Sequence, residues 1–151
     1  MKDEKPINVR LVNLKMVRER SLKYEEAATH ATAIINMVKP LFENIYREIV
    51  LVVGLDNKNK PTVIHTVGTG SPNQSPVYIS NVFKPLLLSN SIGFILIHNH
   101  PSSTLTPSPS DCDITDKLKT AGKLLDIQIL DHIVLNSDCT QHYSFKQAGN
   151  L

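Results

Sequence analysis

Residues 95–101 read Ile95-Leu96-Ile97-His98-Asn99-His100-Pro101, an apolar run that ends in two histidines one residue apart. Successive side chains of a strand point to opposite faces, so residues i and i+2 share a face. We therefore predict a buried strand over 92–98 whose end aims both imidazoles at one point. A proline-bracketed loop over 99–107 follows, and Ser108 then opens a helix as its N-cap, with Pro109 at the first helical position.

Asp111 lies in the first turn of that predicted helix and can bring a carboxylate to the same point. Two histidine nitrogens, one carboxylate oxygen and an open fourth position describe a catalytic zinc site. Each residue also has an ordinary explanation: His98 as a packed core histidine, Ser108 as a helix cap, and Asp111 as a favourable charge at a helix N-terminus. Their conjunction at fixed offsets, His-x-His-x7-Ser-x2-Asp, is what favours the metal.

Zinc lowers the pKa of a coordinated water towards ~7 and polarises a carbonyl, so the predicted reaction is attack of metal-activated water on a carbonyl. Hydrolysis of an amide also requires a general base and a donor to the developing oxyanion. Ser108 Oγ is in range to be that donor. Glu48 opens an apolar strand predicted to pair near 92–98 and is the candidate base. The alternative is that Glu48 is only the last exposed residue before that strand.

A length of 151 residues suits one domain with a sizeable core. We predict an N-terminal arm over 1–23 and a single zinc domain over 24–151. The elements expected in it are a helix over 24–39, strands over 48–55 and 62–67, a helix over 82–87 that contains Pro85, a helix from Ser108 that Gly122 ends, one or two strands over 126–135, and a last strand over 140–145. Strands and helices mix without strict alternation, which predicts an α/β (α+β) fold with a mixed sheet flanked by helices.

Composition points to an ordinary soluble protein. The net charge of +2 gives no strong footprint for nucleic acid or membrane, although nucleic acid stays a weakly supported partner beside a protein or peptide substrate. Two cysteines cannot build a disulfide framework, and there is no CxxC pair for a thiolate zinc site. The charged N-terminus lacks the apolar segment of a secretory signal, and no apolar run approaches the ~20 residues that span a bilayer, so we expect a cytoplasmic protein.

The residues quoted above resemble the JAB/MPN (JAMM) metalloprotease superfamily, and more closely its bacterial RadC-type branch. The matching segments are Phe83-Lys84-Pro85, His98-Asn99-His100-Pro101-Ser102, Thr106-Pro107-Ser108 and Leu130-Asp131-His132-Ile133. The resemblance implies a mixed α/β fold with a cytidine-deaminase-like layer plan, and zinc held by His98, His100 and Asp111. It also implies that Ser108 stabilises the tetrahedral intermediate and that Glu48 is the general base.

Position 103 departs from the RadC-type pattern, because the loop of that branch usually has a glycine where this chain has Ser103. A serine there alters the turn if the position needs a positive φ.

Two functions of different classes remain open. The first is a zinc-dependent hydrolase of peptide or isopeptide bonds. The second is a non-catalytic MPN-like interaction module associated with DNA-repair or mobile-element proteins, which has no need of Glu48 or an open metal position. His132 is expected to be a packed, hydrogen-bonded histidine rather than a fourth ligand.

Overall fold

The computed structural model describes residues 9–24, 26–70 and 77–151. Within these ranges the helices and strands follow in the order α1 (Ala31–Val38), β1 (Ile49–Leu55), β2 (Pro61–Thr69), α2 (Ile79–Leu88), β3 (Gly93–Asn99), α3 (Pro109–Leu125), β4 (Gln128–Leu135) and β5 (His142–Ser144). A short 3-10 turn, Lys39–Leu41, continues α1 into Pro40. None of the described helices is long and apolar enough to cross a membrane.

The five strands form one mixed sheet in the order β2-β1-β3-β4-β5, which confirms the predicted fold class. β1 lies antiparallel to both β2 and β3, whereas β3 and β4 are parallel. Parallel neighbours need a crossover connection, and α3 supplies it. The end of β3 and the start of α3 therefore meet at the same edge of the sheet, where the histidines are found.

Apolar side chains pack on both faces of the sheet, and β1 and β3 are buried along their whole length. Leu51, Val53, Ile95 and Ile97 pack on the face that α1 covers. The alternate positions of β3, Phe94 and Leu96, pack on the other face together with residues of α2 and α3. The same alternation carries His98 to the α3 face.

The chain before Ala31 differs from the prediction. The expected helix over 24–39 is wrong in its first half, because α1 begins only at Ala31. Tertiary contact overrides the helical pattern there: the N–H of buried Ala28 donates to Asn59 O at 2.8 Å, in the turn between β1 and β2. The predicted arm over 1–23 lies partly outside the described residues, and from Val9 to Tyr24 the described chain has no regular secondary structure.

The end of α3 also differs from the prediction, since the helix passes through Gly122 to Leu125 and ends at Asp126 in the left-handed region. Gly122 instead allows α3 to pack closely against the main chain of Ile127. A Cβ at this position would lie 2.4 Å from Ile127 O, a main-chain atom that cannot move aside cheaply. The proline inside α2 is confirmed, and Pro85 is buried there.

We expect Gly122→Ala to destabilise the protein by about 1–3 kcal/mol, because the added methyl overlaps the Ile127 carbonyl. The sign is diagnostic, since alanine in place of glycine ordinarily stabilises a helix by about 1 kcal/mol. Denaturant unfolding measures the difference, with exposed Lys119→Ala in the same helix as the control. A Gly122→Ala protein as stable as the wild type would contradict the packing role.

Candidate metal centre

The structure brings His98, His100 and Asp111 together at the junction of β3 and α3. His98 Nε2 lies 2.9 Å from His100 Nε2 and 3.3 Å from Asp111 Oδ1, and His100 Nε2 lies 3.4 Å from Asp111 Oδ2. Ligand atoms bound tetrahedrally at ~2.0–2.2 Å lie about 3.3–3.5 Å apart, so the three side chains are close to the spacing that one small cation requires. This group can hold a metal ion.

The site is open on one side. The His98 side chain is 2% exposed, whereas those of His100 and Asp111 are 15% and 13% exposed. Burial of one ligand and partial exposure of the other two leave a direction from which water or a substrate can approach. A site enclosed on all sides would instead indicate a purely structural metal.

In its neutral form, His100 presents an unprotonated Nε2 to this point. Its Nδ1 lies 2.6 Å from the carbonyl oxygen of Thr104, which can only accept, so the ring proton of neutral His100 is on Nδ1. Its main-chain N–H donates to Leu135 O at the end of β4. The loop and the sheet together therefore fix both the place and the tautomer of this ring.

Electrostatics favour an ionised carboxylate at this point. Burial opposes ionisation of Asp111, but the hydrogen bonds that His100 and His98 donate through Nε2 in their protonated, cationic forms outweigh it, so the pKa of Asp111 lies well below its usual value. The hydrogen bond to Asp111 raises the pKa of His100 despite partial burial, and the charge of Glu48 adds a smaller contribution. The set of donors matches a cation such as zinc, which combines imidazole nitrogen with carboxylate oxygen.

Ser108 is the N-cap of α3, as predicted, and it also orients Asp111. Its Oγ accepts from Asp111 N at 3.1 Å, while its own N–H and hydroxyl donate to Asp111 Oδ2 at 2.7 and 2.8 Å. This reciprocal capping box fixes the carboxylate in the first turn. The hydroxyl proton is directed at Asp111 in this geometry, so a contact with a substrate oxygen requires it to rotate. The oxyanion role of Ser108 stays a prediction.

Ser103 occupies the loop position where the RadC-type pattern has glycine, and its φ is +60°. That value lies in the left-handed region, which costs an L-residue roughly 1–2 kcal/mol. The serine hydroxyl offsets part of this strain, because Ser103 Oγ lies 2.7 Å from Ser137 Oγ and accepts from Ser137 N at 3.3 Å. The turn is therefore kept, and Thr104 remains in position to orient His100.

Glu48 immediately precedes β1 at the same edge of the sheet. Val50 pairs with His98, and continuing the antiparallel register by two residues sets Glu48 opposite His100. The contribution of Glu48 to the pKa of His100 agrees with that proximity. Asn99 holds the main chain on either side: its Oδ1 accepts from Ile49 N at 2.8 Å and its Nδ2 donates to Arg47 O at 3.1 Å. The role of Glu48 as the base stays a prediction.

His132 is a packed, hydrogen-bonded histidine, as expected from the sequence. It is 1% exposed, its Nε2 lies 2.9 Å from His98 Nδ1, and burial lowers its pKa to about 3. Its ring stacks on Phe145, with centroids 4.7 Å apart and planes at 9°. The carboxylate of neighbouring Asp131 holds Phe145 against this ring, since it accepts from Ser144 Oγ and from Lys146 N on either side of Phe145.

Sequence reasoning did not identify Thr115, whose Oγ1 lies 2.6 Å from His132 Nδ1. The available signal was its position four residues after Asp111 in a helix, which sets the two residues on the same face. Asn99 was seen only as the residue between the two histidines, and nothing in the pattern indicated its contact with the start of β1.

A mixed sheet covered by helices, with two histidines ending one strand and an aspartate opening the next helix, defines a JAB/MPN-type domain. The chain belongs to the RadC-like JAB domain family, whose model matches residues 28–150. This assignment confirms the resemblance drawn from the motif.

Curated relatives support the same family. The chain is 42% identical over 95 residues to a UPF0758 protein of Chloroflexus aggregans, covering 63% of this chain and 41% of the relative. It is 48% identical over 83 residues to a UPF0758 protein of Roseiflexus castenholzii, covering 55% and 36%. A UPF0758 protein of Trichlorobacter lovleyi is 34% identical over 137 residues, covering 91% and 59%. The chain thus spans less than two thirds of each of these relatives.

We expect the purified protein to bind one divalent ion per chain and the variants His100→Ala and Asp111→Asn to lose it, because each removes one of three ligand atoms. Elemental analysis after dialysis gives the stoichiometry, and competition with a chromophoric chelator gives the affinity. His65→Ala is the control, since His65 is exposed on β2 away from the group. Wild-type affinity in the His100→Ala protein would contradict this metal centre.

Proposed function

We propose that this domain is a zinc-dependent hydrolase of peptide or isopeptide bonds, in which His98, His100 and Asp111 bind the metal. The observation that carries the proposal is the convergence of three ligand atoms at a partly exposed edge of the sheet. Membership of the RadC-like JAB domain family supports it as well, because the ligand pattern of this chain resembles that of JAB/MPN metalloproteases. A bound Zn²⁺ would act as a Lewis acid toward a carbonyl. It would also lower the pKa of water, which makes hydroxide available at neutral pH.

We assign the proton transfer of this reaction to Glu48, which lies beside the proposed metal ligands. Glu48 takes a proton from the attacking water and delivers it to the leaving nitrogen, which is the work of a general base that then acts as an acid. Its proposed position opposite His100 in the strand register suits this role. Asn99 keeps the Glu48 main chain beside β3 through two hydrogen bonds.

Ser108 is the proposed donor to the oxyanion that forms on the substrate carbonyl. In the structure its hydroxyl donates to Asp111 Oδ2. If His98, His100 and Asp111 held a metal, its positive charge would weaken the attraction between the Asp111 carboxylate and this proton, and the Ser108 hydroxyl could rotate to donate to the oxyanion. Ser108 would consequently have two roles, as the N-cap of α3 and as the donor to the oxyanion.

We expect Glu48→Gln to lower the hydrolysis rate by about 10²–10⁴-fold while metal content stays at the wild-type level, because the amide cannot accept the proton. Hydrolysis of a panel of peptides and isopeptide-linked conjugates by zinc-loaded protein measures the rate. Glu43→Gln is the matched control, since Glu43 is an exposed acid shortly before the same strand.

Two results would contradict the proposal. The first is hydrolysis by Glu48→Gln at the wild-type rate. The second is a zinc-loaded wild-type protein that cleaves no member of the panel, which would favour the non-catalytic interaction module.

A further inference from the structure

Three hydrogen bonds connect the metal ligand His98 to the main chain of the metal ligand Asp111. His98 Nδ1 lies 2.9 Å from His132 Nε2, and His132 Nδ1 lies 2.6 Å from Thr115 Oγ1. Thr115 Oγ1 in turn lies 2.6 Å from the carbonyl oxygen of Asp111. This series of hydrogen bonds runs from His98 on β3 to His132 on β4 and then to Thr115 on α3. It therefore joins the three elements that meet at the candidate metal centre.

The direction of these hydrogen bonds follows from the last contact. A carbonyl oxygen only accepts, so the single hydroxyl proton of Thr115 belongs to the contact with Asp111 O. Threonine in a helix commonly makes this bond to the carbonyl four residues earlier. Thr115 Oγ1 must then accept from His132 Nδ1–H. A neutral His132 carries no proton on Nε2 and accepts from His98 Nδ1–H.

If the hydrogen bonds ran in the opposite direction, one of the three contacts would have no proton. If His132 Nε2–H donated to His98, the hydroxyl of Thr115 would have to donate to His132 Nδ1. Two acceptor oxygens, Thr115 Oγ1 and Asp111 O, would then face each other at 2.6 Å. A doubly protonated His132 would bury an unpaired cation among Phe145 and the apolar core, which is costly.

We propose that Thr115 and His132 are positioning residues that select the metal-binding tautomer of His98. With its proton held on Nδ1, His98 directs a free Nε2 lone pair at the point where His100 Nε2 and Asp111 meet. The inference rests on the metal centre of the proposed function, but it does not depend on hydrolysis. Outer-shell partners of a ligating histidine typically contribute 10–100-fold to metal affinity.

The same contacts explain why the acceptor is a histidine. Ligating histidines usually donate to a carboxylate or a carbonyl oxygen, and a carboxylate would add a negative charge in a buried position. A neutral imidazole holds the proton on Nδ1 without adding charge. The only carboxylate among the three metal ligands is then that of Asp111.

The test uses the whole chain and the variants Thr115→Val, Thr115→Ser and Thr120→Val. Thr115→Val keeps the shape of the side chain and removes the hydroxyl, whereas Thr115→Ser restores it. Thr120→Val is the matched control, because Thr120 makes the same bond to the carbonyl four residues earlier, at 3.0 Å from Asp116 O, on an exposed part of α3. Zn²⁺ affinity is measured by chelator competition, and the ring protonation of the histidines by nitrogen NMR of metal-free protein.

We expect Thr115→Val to weaken Zn²⁺ binding by about 10–100-fold, Thr115→Ser to recover most of it, and Thr120→Val to leave it unchanged. In metal-free wild type, His98 and His132 are both expected to carry their proton on Nδ1. Equal losses in Thr115→Val and Thr115→Ser, or unchanged affinity in Thr115→Val, would overturn the proposal.

The NMR readout needs no variant and no metal. A proton on His132 Nε2 in the wild-type protein would overturn the inference even if Thr115→Val failed to fold. Wild type that binds no Zn²⁺ yet carries the expected tautomers would refute the proposed function, while the tautomer assignment would stand.

Discussion

Two imidazole lone pairs and a carboxylate meet at the end of one buried strand, and such a meeting is unfavourable unless a cation joins them. Neutral His100 is unprotonated at Nε2 because its Nδ1 donates to the Thr104 carbonyl, and the contacts of neutral His98 with His132 leave its Nε2 unprotonated in the same way. The two nitrogens are nevertheless 2.9 Å apart, beside the Asp111 carboxylate. A metal ion can satisfy all three acceptors at once.

The fold creates this meeting point through one crossover connection. β3 ends and α3 begins at the same edge because β4 must return parallel to β3. The capping box at Ser108 then fixes the side chain of Asp111, while the β1 register and Asn99 fix the main chain around Glu48. The loop between β3 and α3 keeps its turn although Ser103 stands in the left-handed region, since Ser137 anchors the serine hydroxyl.

The motif on β3 and α3 was predictable because its geometry is local. Strand alternation, a helix cap and a first-turn carboxylate are each set within a few residues, so the association of His98, His100 and Asp111 follows from spacing. Features that depend on distant packing were missed or wrong. α1 begins only at Ala31 because Ala28 bonds to a remote turn, and Gly122 lies inside α3 where the Ile127 carbonyl approaches it. The contact of Thr115 with His132 likewise depends on how α3 packs against β4.

The coordination shell of the bound metal is the most direct test of the proposed metal centre. X-ray absorption at the zinc edge, recorded on the zinc-loaded chain, counts the ligands and distinguishes imidazole, oxygen and sulfur. We expect two imidazole nitrogens and oxygen ligands at about 2.0–2.2 Å in a four-coordinate shell. A sulfur ligand at about 2.3 Å, for which exposed Cys112 beside Asp111 is the nearest source in sequence, or a shell without imidazole would contradict it.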